Sequence, residues 1–121
     1  MITTQLSNDI LNHVFRGETY TPPENIYLAL FTSSGEVDAD EYSRMVITFS
    51  SASNGRIESD KEVRFPVAVT DWGTITQLVL YDSETGGTKL SENDVEGKKV
   101  EHNEQLYVPS GSYDIEVVEC D

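Results

Sequence analysis

At 121 residues the chain has room for one domain with a single core of modest size, and a second domain would lack a core of its own. Twenty-two acidic residues against eight basic ones give a formal net charge of -14, which repels nucleic-acid phosphates and anionic lipid headgroups at long range. Direct nucleic-acid binding and membrane association are therefore disfavoured. The acids are spread along the chain among apolar residues, as on a folded acidic surface, for which a high-salt habitat is one alternative source. The only cysteine, Cys120, has no partner for an internal disulfide, and between Glu119 and Asp121 it reads as an inert terminal thiol. No stretch approaches the ~20 apolar residues of a spanning helix, so the expectation is synthesis and assembly in a cytosol.

In chain order the first element is helical. Leu6, Ile10, Leu11 and Val14 recur at helical spacing, with Thr3 or Thr4 as cap and Gly17 as stop, which predicts one amphipathic helix from about 4 to 16. Thr21, Pro22 and Pro23 cannot continue it, and Ile26 to Thr32 then reads as a buried strand. Ser33 to Glu41 is small, polar and acidic, an exposed loop before a strand at Ser43 to Phe49, and Ser50 to Gly55 is a second loop. Val63, Phe65 and Val67 alternate with Arg64 and Pro66, which suits a short strand near an edge.

Ile75 to Tyr81 reads as a central strand closed by turn residues Asp82 to Gly87. A weaker strand follows around Leu90, then a charged connection from Ser91 to Lys99. Leu106 and Val108, the turn Pro109-Ser110-Gly111, and Tyr113, Ile115 and Val117 read as a terminal hairpin. The whole predicts a single, mainly β domain over 1–121. Seven or eight short strands form an antiparallel two-sheet sandwich, jelly-roll-like or a partly closed barrel, with the helix against one edge or end.

The chemistry expected of this sequence is sparse. His13 lies on the helix and His102 in a charged segment, neither beside a nucleophile, so both read as surface histidines. A closed zinc site lacks ligands, and no cofactor is expected. Glu36, Asp38 and Asp40 imitate the opening of a calcium loop, but Glu41 stands where that loop needs glycine and Ile47 where it needs a glutamate. A solvated loop is the plainer reading; a weak divalent ion between acidic copies is the alternative. Gly86-Gly87 is followed by neither helix nor P-loop lysine and reads as a turn. Asp71-Trp72-Gly73 reads as a corner, with Trp72 covering one end of the sandwich or, alternatively, serving as an exposed interface anchor.

The order LSNDILNHVFRGETYTPPENIYLALFTS, then YSRMVITFS, then VRFPVAVTDWGTITQLVLYDSETGG, resembles small bacteriophage structural proteins of the tail-fibre-like or minor virion type. The resemblance covers residues 6 to 88 well and the C-terminal runs loosely; after Gly87 the chain is more charged than that pattern. It implies a non-enzymatic virion component. The short chain has no coiled coil or long repeat for a fibre shaft, so a capsid decoration (cement) protein is the first expectation and a tail or tail-fibre protein the alternative. Expected partners are the major capsid protein or tail proteins, and other copies of the chain in a closed oligomer such as a trimer. A carbohydrate-binding module, using Tyr107 and Tyr113, is a reading from another class, and an enzyme stands last.

Three contact regions follow for a virion protein. They are the helix with Leu6, Ile10 and Val14, for which packing on its own core is the plainer reading; the acidic loop with Glu36, Asp38, Asp40 and Glu41, suited to a basic partner; and the 91–104 segment with Lys98 and Lys99. Trp72 is the fourth candidate contact.

Overall fold

A computed structural model describes residues 1–117; Cys120 lies outside the described residues. The elements run α1 (Thr4–Arg16), β1 (Ile26–Thr32), β2 (Gly35–Glu36), β3 (Met45–Ile47), β4 (Arg56–Glu58), β5 (Val63–Arg64), β6 (Gly73–Tyr81), β7 (Lys89–Val100), β8 (Tyr107–Val108) and β9 (Asp114–Glu116). The fold is mainly β, antiparallel and sandwich-like, with one helix and no closed barrel among the described residues.

The principal sheet has the order β2-β1-β6-β7. One edge of β1 is shared: β3 pairs with Ile26 to Leu28, and β2 with Phe31 and Thr32. On its other edge β1 pairs with β6, setting Leu28 opposite Leu80 and Leu30 opposite Leu78. Side chains two residues apart share a face, so these four leucines present one apolar surface. Val63, Phe65, Leu106, Val108 and Tyr113 pack against it to complete the core. They belong to or flank two small sheets, β5-β8 and β4-β9, which form the second layer. On the opposite face Ala29 and Val79 are buried beside a Phe31–Tyr81 stack, with Arg44 lying 3.7 Å over the Tyr81 ring.

Three expectations are corrected. The charged connection from Ser91 to Lys99 is strand: β7 is continuous from Lys89 to Val100 and pairs along β6. Its charges suit an edge, because acids and lysines there discourage pairing with further chains, while the ladder to apolar β6 supplies the backbone hydrogen bonds. The terminal hairpin does not form. β8 pairs with β5 and β9 with β4, and the Gly111 N–H donates to the Ser59 carbonyl at 2.7 Å, carrying the chain across from one pair to the other. The expected strand over Val63, Phe65 and Val67 ends at Arg64, because Pro66 has no N–H to continue the ladder. Two short strands, β2 and β4, lie where no strand was expected.

Candidate functional site

The helix forms where the spacing places it. Thr3 caps it, accepting from the Leu6 N–H at 3.3 Å, and Gly17 closes it at φ 70°, a left-handed conformation that glycine adopts without penalty. Its root is pinned to β7: the Thr3 N–H donates to the Leu90 carbonyl and the Glu92 N–H to the Met1 carbonyl, both at 2.9 Å. The Thr3 hydroxyl adds a bond to the Lys89 carbonyl.

Beyond that root the helix is turned the unexpected way round. Leu6 alone packs against the core, and no helix residue is fully buried. Gln5 and Asp9, on the polar side, line a shallow cleft with Tyr20, Asp82 and Thr88. Burial together with the Asp9 and Asp82 carboxylates raises the pKa of the Tyr20 hydroxyl there. Ile10, Leu11, Val14 and Phe15 are 41, 52, 63 and 78% exposed. The plainer reading, that Leu6, Ile10 and Val14 cover their own core, therefore holds for Leu6 only. Leu11 and Phe15 complete the outward stripe; the sequence signal for Phe15 was its position four residues after Leu11, on the same helix face. Burying such a side chain fully contributes about 1.5 to 3 kcal/mol, less here by the part already covered. A contiguous patch of this kind marks an interaction surface more than scattered exposed residues do.

The acidic loop divides into groups used inside the protein and groups facing solvent. Glu36 holds Arg44 in a two-point contact, Nε to Oε2 and Nη2 to Oε1, both 2.9 Å, and also accepts from the Tyr42 hydroxyl at 2.7 Å. Burial raises the Glu36 carboxyl, but the Arg44 and Tyr42 hydrogen bonds and the guanidinium charge outweigh it and hold its pKa below the ordinary value. The other arm of Arg44 donates to the Ser83 and Gly86 carbonyls, tying the Asp82 to Gly87 turn to this loop. Arg44 is buried, and nothing in its sequence surroundings singled it out.

Glu41 is equally committed. One of its oxygens accepts from the Trp72 indole N–H at 2.8 Å and from the Val69 and Thr70 N–H groups at 2.8 and 3.2 Å. The indole bond, then the backbone ones, hold its pKa at about 2. Trp72 is buried as a corner, edge-on to Tyr42, which stacks on Phe65, so it is no exposed anchor. Gly73 turns the chain into β6 at φ 91°. Of the four acids named as a docking loop, Asp38 and Asp40 alone are exposed. Lys98 and Lys99 lie on β7 opposite Ile75 and Thr74, and Lys99 pairs with Glu101 at 3.0 Å. These lysines lie far along β7 from the helix root.

Groups for chemistry do not converge. His13 and His102 are both exposed, and among the described residues no three His, Cys, Asp or Glu side chains gather to hold a metal. Tyr113 is fully buried with its hydroxyl 2.8 Å from Ser91 Oγ, whereas Tyr107 is half exposed, so the two do not make a sugar-stacking pair. What the surface offers is an outward apolar helix on an acidic β domain. Residues 1–116 match the model of a protein family described as podophage GP4 fiber I protein gp80. No curated protein matches the chain. The resemblance to small phage virion proteins thus extends over almost the whole length, and the chain belongs to the podophage GP4 fiber I protein gp80 family.

Proposed function

We propose that this chain is a non-enzymatic structural subunit of the phage tail-fibre apparatus, held in the virion by the outward apolar face of α1. The observation that carries the reading is the inverted helix: its polar side meets the body and its apolar side meets solvent. A helix used only for its own core would do the reverse. Membership of a family described by a fibre protein supports the fibre over the capsid surface, the placement expected from the short chain and its lack of a coiled coil or long repeat. The partners on this reading are neighbouring subunits of the fibre and tail. Asp38 and Asp40, exposed and not engaged like Glu36 and Glu41, serve to steer a basic partner, with an effect that salt screens.

Gold labelling of the protein on purified particles, imaged by electron microscopy, tests the placement. Label is expected at the tail fibres; label over the head would make the protein a shell decoration. Particles carrying Val14→Asp with Phe15→Asp should lose the label, and full occupancy by that variant would remove the helix as the attachment surface.

A further inference from the structure

The segment carrying the outward helix is fastened to the body of the molecule at one short place. Among the described residues, every hydrogen bond joining residues 1–23 to the rest falls on Lys89 to Asn93. Residues 1–3 run antiparallel to this edge of β7, with Ile2 opposite Ser91. The buried Ser91 hydroxyl donates to the Met1 carbonyl at 2.8 Å and accepts from the Tyr113 hydroxyl at the same distance. The helix beyond adds no polar tie to the described body. Its side chains bond within the segment instead: Gln5 to Asp9, His13 to the Glu18 carbonyl, and Arg16 to Glu18. Leu6 is the one helix residue packed against the core.

Thr3 makes one unit of the edge strand and the helix. Its hydroxyl donates to the Lys89 carbonyl at 3.0 Å and accepts from the Leu6 N–H, so the group that anchors the segment also caps the helix. Docking on β7 holds Thr3 extended, at φ -72° and ψ 160°, the backbone conformation typical of a cap. A helix of 13 residues is marginal in water without packing, so docking and helix support each other. On the far side, residues 17–25 contain no helix or strand, and this stretch can turn without disturbing a ladder. Every buried side chain of the core lies between Leu28 and Tyr113. Releasing residues 1–16 therefore uncovers Leu6 and a strip of edge backbone that water can satisfy, whereas global unfolding uncovers the whole core.

We propose that residues 1–16 form a strap that lifts from the edge of β7 as one unit while residues 26–117 stay folded. Closed, the strap holds the apolar face of α1 at a fixed angle to the sheet. Open, it swings on residues 17–25, frees that face from the body and bares the backbone of Lys89 to Glu92. This goes beyond the attachment reading and does not depend on it, because the hinge is the same whatever the helix meets.

The test is amide hydrogen exchange of the full chain, followed by NMR at neutral pH with and without dilute denaturant. The Thr3 and Glu92 N–H groups cross the seam in opposite directions, to the Leu90 and Met1 carbonyls; the Phe65 and Trp72 N–H groups, bonded to the Leu106 and Val100 carbonyls, report the body. Thr3 and Glu92 should show matching protection, at least ~100-fold below that of Phe65 and Trp72 and nearly independent of denaturant. Protection equal to that of Phe65 and Trp72 would make the strap part of the global folding unit and overturn the proposal. Loss of protection at Thr3 alone would mean a frayed end, which overturns it too. Asn8→Pro then tests the unit: Asn8 is exposed and bonds nothing on β7, yet breaking the helix there should speed exchange at Glu92 at least ~tenfold. Unchanged exchange at Glu92 would show the edge strand docking by itself, without the helix, and would also overturn the strap. None of these readouts involves particles, so the placement of the label on the virion stands or falls separately.

Discussion

In the loop from Glu36 to Arg44, a stretch rich in acids, two of the four acids turn inward: Glu36 clasps Arg44, and Glu41 collects the indole and backbone N–H groups around Trp72. In the helix from Thr4 to Arg16 the apolar groups turn outward, and Phe15 is the most exposed of them. Composition would assign the loop to partners and the helix to the core. The difference teaches that a polar segment can serve the fold when its acids find donors that would otherwise be unsatisfied, whereas an apolar segment serves assembly when the core is already filled by other side chains. Here the four leucines of β1 and β6 and the aromatic groups beneath them fill that core, with Leu6 the one helix residue packed against it.

Substitutions at the two regions should separate stability from attachment. The largest effect is expected at Trp72: Trp72→Ala should cost about 3 to 5 kcal/mol, read as a lower denaturant midpoint, since it removes a buried ring and the indole donor to Glu41. A melt that barely moves would mean the corner does not hold the loop. Acid should act on the same corner. A carboxyl held at about 2, below its ordinary 4.5, contributes stability that is fully present above the ordinary value and is lost as pH falls through 4.5 towards 2. Glu41→Gln should flatten that part of the acid unfolding curve, and an unchanged curve would assign the acid sensitivity to other groups.

On the helix the order reverses. Phe15→Ser should leave stability within about 0.5 kcal/mol of the parent while weakening occupancy on particles. A large drop in melting temperature would instead show the helix to be part of the folding unit. The smallest effect on stability is expected for Asp38→Lys with Asp40→Lys, whose parent side chains are exposed. Attachment of this variant should fall and lose its salt dependence, and unchanged occupancy would remove the loop from the interface.

The sequence by itself determined the helix from 4 to 16 with its Thr3 cap and Gly17 stop, the strand Ile26–Thr32, most of the central strand, and the corner at Trp72. Each is set by local rules of capping, apolar periodicity and glycine conformation that act within a few residues. Only the tertiary structure decided the rest. The charged run after Leu90 becomes the edge strand β7 because β6 lies beside it, and β8 and β9 part company because β5 and β4 supply their ladders. Arg44 binds carbonyls about forty residues away, and β7 bulges against β6 between Asp94 and Lys98. The direction of the helix's apolar face was likewise undecided by its own pattern, since amphipathicity shows that one side is apolar but not what lies opposite it.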